Sequence, residues 1–122
     1  VYTSSIGAYS PSKIFSEKKD NLDKPPMDLF PGWAKRMAEL QIKAYQTQYK
    51  LKNMSIVRPS NIYGPGDNFD EKNAMVIPSL ISKITKAKNN TINVWGDGKA
   101  ERDFLFSTDC AIGIIKACIF YR

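Results

Sequence analysis

Ser55-Ile56-Val57-Arg58-Pro59-Ser60-Asn61-Ile62-Tyr63-Gly64-Pro65 is the stretch whose reading decides the fold. Its apolar start has the length of a short buried strand. It stops at a polar loop, the place where open α/β sheets hold their ligands. Upstream, Trp33, Met37, Leu40 and Ala44 recur at i, i+4, i+7 and i+11, flanked by Ala34, Ala38 and Tyr45. That spacing predicts a helix from about Gly32 to about Tyr49 that packs this apolar stripe on a sheet, with Lys35, Glu39 and Lys43 on a more polar face. Leu51 to Asn53 then make the turn into a strand over Met54 to Val57, and Val1 to Ser5 have the content of an earlier strand that ends in two hydroxyls. A helix between two short apolar strands implies parallel pairing through a right-handed crossover, so the class is α/β.

The same reading extends outward. Ser10 to Pro31 is expected to be an irregular surface excursion, broken by Pro25-Pro26 and Pro31. After Pro65, Gly66-Asp67-Asn68-Phe69-Asp70 should reverse the chain. Val76, Leu80, Ile81 and Ile84 predict a second amphipathic helix, with Pro78 tolerable in its first turn and Asn89-Asn90 ending it. Thr91 to Trp95 is strand-like, Asp97-Gly98 signals a hairpin, and Arg102 to Phe106 would be its second strand. Ser107-Thr108-Asp109 supplies caps for a last helix, Cys110 to Phe120, which is apolar on nearly every side and belongs in an interior.

Composition narrows the function classes. No apolar run approaches the ~18 residues of a membrane span, so no membrane partner is expected. The net charge of +6 arises from lysines spread over helix faces without interleaved aromatics, which argues against nucleic acid. With no histidine, neither a zinc site nor a histidine-based triad is expected, and no metal is assigned. Cys110 and Cys118 lie about 12 Å apart along one helix, too far for a disulfide between them, as suits thiols in a reducing, cytoplasmic setting. Val1 is not an initiator, and a chain that opens directly on a strand is expected to lack upstream sequence.

Motifs in a fixed order carry a resemblance. Tyr-Thr-Ser-Ser, Ala-Lys-Arg-Met-Ala-Glu, Val-Arg-Pro-Ser-Asn-Ile-Tyr-Gly-Pro-Gly-Asp-Asn-Phe, Val-Ile-Pro-Ser-Leu and Val-Trp-Gly-Asp-Gly-Lys-Ala-Glu-Arg-Asp-Phe follow one another here. Together they resemble the extended short-chain dehydrogenases/reductases, within them the NAD-dependent nucleotide-sugar epimerase/dehydratase branch that is GDP-fucose synthase-like. The similarity runs over essentially the whole chain but matches only the later half of such an enzyme. It implies the later part of a Rossmann-like doubly wound parallel sheet over residues 1–65, a small nucleotide-sugar lobe over 66–106, and a helix returning to the core over 107–122. The Gly-rich turn that holds a dinucleotide pyrophosphate has no counterpart here, since Gly96 and Gly98 sit in the hairpin signal.

The resemblance also implies roles. NAD or NADP is the cofactor and a nucleoside diphosphate sugar the substrate, with a possible homodimer through the helix that carries Lys35. Ser5 takes the hydroxyl role beside the substrate alcohol, with Ser4 as its substitute and as a cofactor contact, and Lys35 holds the nicotinamide ribose. Pro59, Asn61 and Ile62 pass the nicotinamide, Asn61 either bonding the sugar or serving as an Asx-turn residue. Val76, Leu80, Lys83, Val94, Trp95 and Arg102 face the nucleotide; the structural alternatives are a solvated Lys83, a core Trp95 and a surface ion pair for Arg102. Four residues before Lys35, where the family has its acid/base Tyr, stands Pro31, and Gly7 and Met75 replace a Cys and a His of the synthases. Tyr9 and Tyr63 are the phenols that could take over the role of that Tyr in space, although the sequence places neither. Two functions follow: an epimerase/dehydratase working by transient hydride transfer, or a catalytically inactive sugar-nucleotide binding or scaffold module.

Overall fold

The computed structural model describes residues 1–16, 18 and 21–120. Glu17, Lys19, Asp20, Tyr121 and Arg122, which fall in the expected excursion and at the end of the last segment, lie outside the described residues. Two compact units divide the chain: Val1–Ser60 with Cys110–Arg122, and Asn61–Asp109. The division falls inside the stretch quoted at the outset.

In the first unit, strand β1 (Tyr2–Thr3) pairs in parallel with β2 (Ile56–Val57), Tyr2 opposite Ile56 and Thr3 opposite Val57. The expected α/β class with parallel strands is what the structure has. A 3-10 turn (Ile6–Ala8) follows β1, capped by the Ser5 hydroxyl, which accepts from Gly7 N at 3.1 Å. Helix α1 (Leu29–Tyr49) starts earlier than expected. Pro31 is its third residue rather than a breaker before it, because a first-turn residue has no intrahelical partner for the N–H that proline lacks. The start of α1 can lie against the 3-10 turn only without side chains there. A Cβ on Gly7 would come within 2.8 Å of Asp28 Cβ, and one on Gly32 within 2.5 Å of Gly7 O.

The stripe of α1 that faces inward is the reverse of the expected one. Gly32, Arg36 and Glu39 are buried, whereas Trp33, Met37, Leu40 and Ala44 are exposed. The buried polar groups are satisfied by bonding: Arg36 reaches the carbonyls of Ala8, Leu22 and Lys24 and the Ser10 hydroxyl, and Arg58 reaches Glu39. Part of the excursion is thus tied to α1 rather than loose. Apart from Pro26 and Pro78, the buried apolar side chains of the described residues are small: Ala8, and Cys110 and Ala117 on α3 (Ser107–Phe120), which presents Ile112, Ile115 and Ile119 outward. The expected caps Ser107 and Asp109 lie in the first turn of α3, where Asp109 favours the helix dipole.

In the second unit the quoted stretch yields an unexpected strand, β3 (Asn61–Tyr63). It pairs in parallel with β4 (Phe104–Phe106) in the register Asn61 to Phe104 and Tyr63 to Phe106. Gly64 O accepts from Asp67 N at 3.3 Å to close the expected reversal. Helix α2 (Val76–Lys86) carries Pro78 in its first turn as expected and stops before Asn89-Asn90. Thr91–Trp95 is not a strand and the hairpin does not form, although Gly96 and Gly98 have the positive φ of turns. Instead Lys83 Nζ donates to Asn93 O at 3.1 Å and ties the segment to α2 as a strap.

Candidate functional site

Each unit gathers its own group of candidate residues. In the first, the end of β1 is gripped by α1 at two points one helical turn apart. Lys35 Nζ donates to Thr3 O at 3.0 Å and lies 5.4 Å from the Tyr2 ring centre. The Ser4 hydroxyl donates to Glu39. Ser4 is buried, so its hydroxyl is engaged from behind, and Ser5 is the half-buried neighbour on the 3-10 turn. Pro59 joins them through its carbonyl, which accepts from Ile6 N at 3.2 Å. Ser5, Lys35 and Pro59 therefore share one end of the parallel pair, the side of such sheets that takes ligands.

Arg58, from the quoted stretch, forks onto Glu39, with Nε 2.9 Å from one carboxylate oxygen and Nη2 2.6 Å from the other. Its Nη1 also donates to Tyr9 Oη at 3.0 Å, and the guanidinium lies 4.7 Å from the Tyr9 ring centre. The sequence placed Glu39 on the more polar face of the helix and gave Arg58 no role of its own, whereas Glu39 is buried. The spacing Gly32, Arg36, Glu39 was the available signal, but polar residues at helical spacing are ordinarily a solvated face.

In the second unit, Val76, Leu80, Lys83, Val94 and Trp95 line one cavity of about 770 Å³, together with Glu71, Lys72, Ala74 and Ser79. That is within the ~300–1,000 Å³ of small-molecule sites. Trp95 is 90% exposed, so it is a rim residue and not a core tryptophan. Lys83 is half-buried and bonded to the strap rather than solvated. A smaller cavity of about 130 Å³ is lined by Asn61, Ile62, Met75, Val76, Arg102 and Phe104, among others, so Val76 belongs to both. Asn61 lies in β3 and not in an Asx turn; its side chain donates to Asp103 O at 2.9 Å. Arg102 donates to Glu101 O at 2.7 Å and forms no ion pair among the described residues. Glu71, unassigned by the sequence, pairs with Lys86 at 3.2 Å and braces the wall of the larger cavity.

Among the described residues no cluster of acidic, cysteine or histidine side chains could hold a metal, and no helix is long and apolar enough to cross a membrane.

The chain is 40% identical over 81 residues to a GDP-L-fucose synthase of Azorhizobium caulinodans, covering 64% of this chain and 26% of that protein. It is 37% identical over 76 residues to a dTDP-4-dehydro-6-deoxy-D-allose reductase of Streptomyces bikiniensis, covering 62% and 22%. The chain thus spans about a quarter of the length of the curated relatives it matches. Among solved structures, a GDP-L-fucose synthetase from Naegleria fowleri bound to NADP superposes with a TM-score of 0.79 at 29% identity, over 95% of this chain and 39% of that one. A UDP-N-acetylglucosamine 4-epimerase from Methanobrevibacter ruminantium in complex with UDP-N-acetylmuramic acid gives 0.73 at 26% identity, over 97% and 36%. Both confirm the Rossmann-like class of the fold. The profile of the NAD dependent epimerase/dehydratase family matches residues 1–120, and the chain belongs to that family.

Proposed function

We propose that the chain is the substrate-side half of an NAD(P)-dependent enzyme acting on a nucleoside diphosphate sugar, with residues 1–65 on the cofactor side and 66–106 as the sugar-nucleotide lobe. One observation carries the reading: Val76, Leu80, Lys83, Val94 and Trp95, each assigned to the nucleotide from the sequence, line a single cavity. Apolar walls with a tryptophan at the rim suit a base and ribose. Lys83 and Arg102 are cations for the diphosphate, Arg102 as a planar fork.

Oxidation of a sugar alcohol takes a hydride from carbon and a proton from oxygen; a bound NAD(P) supplies the acceptor for the hydride. The donor set at the end of β1 fits the nicotinamide ribose: an ammonium at Lys35, 3.0 Å from Thr3 O, with the Ser5 hydroxyl nearby on the following turn. Ser5 would hydrogen-bond the sugar hydroxyl and Lys35 would bind the ribose, and the hydroxyl proton would leave to solvent water as the hydride passes to the nicotinamide. Pro59 belongs to the same end of the parallel pair, while Asn61 and Ile62 line the smaller cavity of the second unit. Pro31 cannot move a proton, and Gly7 has no room for the side chain of an acid/base residue unless Asp28 shifts. This argues against epimerisation by the GDP-fucose synthase route and leaves hydride transfer as the activity to test. The family match supports an enzyme over an inactive binding module.

A homodimer is supported by the exposed seam of α1, where Phe30, Trp33, Met37, Leu40 and Ala44 alternate at spacings of three and four. The buried thiol of Cys110 suits a cytoplasmic location.

The full-length protein, given NAD(P) and a panel of nucleoside diphosphate sugars, is expected to change nicotinamide absorbance or exchange sugar hydrogens. Sugar binding with neither change leaves the binding module; no binding removes both readings.

A further inference from the structure

We propose that Glu39 is a positioning residue whose carboxylate sets Ser5 against Lys35; this rests on the roles proposed for those two side chains. Three segments meet at this one carboxylate, and a fourth is joined to it through Arg58. The end of β1 reaches it through the Ser4 hydroxyl, and the end of β2 through both arms of the Arg58 fork. Glu39 itself stands one turn beyond Lys35 on α1, so the two side chains share a face and grip adjacent residues, Ser4 and Thr3. Arg58 passes the connection on to Tyr9 at the far end of the 3-10 turn whose first cap is Ser5. The turn that Ser5 caps is thus tied at both ends, through Ser4 and Tyr9, and Lys35 stands on the same helix that does the holding.

Burial makes net stabilisation a poor explanation of this arrangement. Glu39 is 1% exposed. For an ion pair at that depth, loss of hydration offsets much of the attraction, and well-packed apolar side chains commonly do as well or better. α1 has such side chains, yet Met37 and Leu40 are turned outward while Glu39 is turned in. What a forked, charge-assisted contact provides and apolar packing does not is a fixed direction and distance.

Two substitutions in the full-length protein test the proposal. Glu39→Gln keeps the shape and one acceptor but sets an NH2 against the Arg58 fork. Ser4→Ala removes the β1 bond and leaves the ion pair intact. Either is expected to lower kcat about ten- to a hundred-fold, the loss that follows a misplacement near 1 Å. The KM for the nucleotide sugar should change less than about two-fold, since the cavity residues are untouched. Hydrogen exchange at the amides of Ile6 to Tyr9 is expected to accelerate about tenfold, with the rest of α1 protected as before. A folded variant with wild-type kcat overturns the proposal, and if Glu39→Gln does not fold, Ser4→Ala decides. If the wild type turns over no nucleotide sugar, it is the proposed activity that has failed, and exchange then decides alone. Acceleration confined to Ile6–Tyr9 supports the positioning role, and unchanged protection in both variants overturns it.

Discussion

Glu39 on α1 and Lys83 on α2 are both charged side chains of helices, and the two units use them in opposite ways. Glu39 is enclosed, and its two oxygens receive Ser4 and the Arg58 fork. Lys83 stands at the rim of a large cavity, and its ammonium donates to the Asn93 carbonyl of an irregular strap. Contacts of the first kind are hard to exchange, because breaking them strands a buried charge. Contacts of the second kind exchange readily, because water or a ligand phosphate can take either partner. The first unit is built to fix atoms in place, and the second to offer volume and replaceable donors.

Glu39→Ala should break that contrast most severely. It leaves Arg58 without its carboxylate in the interior, at a cost of about 3–5 kcal/mol in a chemical denaturation midpoint analysis. A loss under about 1 kcal/mol would mean that the pair behaves as a solvated surface pair. Arg36→Ala comes next, at about 1.5–3 kcal/mol, since its guanidinium holds the carbonyls of Ala8, Leu22 and Lys24. Faster hydrogen exchange should appear over the same loop, and an unchanged loop would show that the excursion is held by other contacts.

In the second unit the effects move from stability to binding. Trp95→Ala is expected to weaken nucleotide-sugar affinity by about 1–3 kcal/mol, the scale of base stacking on an aromatic ring. At 90% exposure its loss should shift stability by no more than about 0.5 kcal/mol. Titration calorimetry and thermal melts separate the two; unchanged affinity would remove Trp95 from the site. The smallest effect belongs to Lys86→Ala. Its pair with Glu71 is 67% and 41% exposed, and should contribute less than about 1 kcal/mol in a melt.

Much of this architecture was legible in the sequence, and the failures have physical causes. The period of Val76, Leu80 and Ile84 found α2, and the β-branched run at Ile56-Val57 found β2. The same counting placed α1 and then turned it the wrong way round. Periodicity reports that two faces differ, and burial of the apolar one is an assumption about what lies opposite. Here Gly32 lies against the 3-10 turn, Arg36 bonds the turn and the loop after it, and Glu39 meets Ser4 and Arg58 at the strand ends, so each buried charge has partners waiting. Asn61–Tyr63 was read as loop because Pro59 and Ser60 interrupt it, yet the chain resumes as a strand beside Phe104–Phe106. Thr91–Trp95 has strand composition but its backbone is held by Lys83, and composition cannot see a side chain from ten residues away. Five of the residues that line the large cavity were found by family resemblance, and Glu71, Lys72, Ala74 and Ser79 were not. No local pattern connects Leu80 to Trp95.

Hydride transfer by a chain with Pro31 in place of the acid/base Tyr is the claim most exposed to refutation. It can be measured with a nucleoside diphosphate sugar deuterated at the oxidised carbon, mixed with the full-length protein and NAD(P). Deuterium recovered on the nicotinamide, and lost in the Lys35→Met variant, is the expected result. Saturable binding of the sugar with all the label still at its original carbon would contradict it.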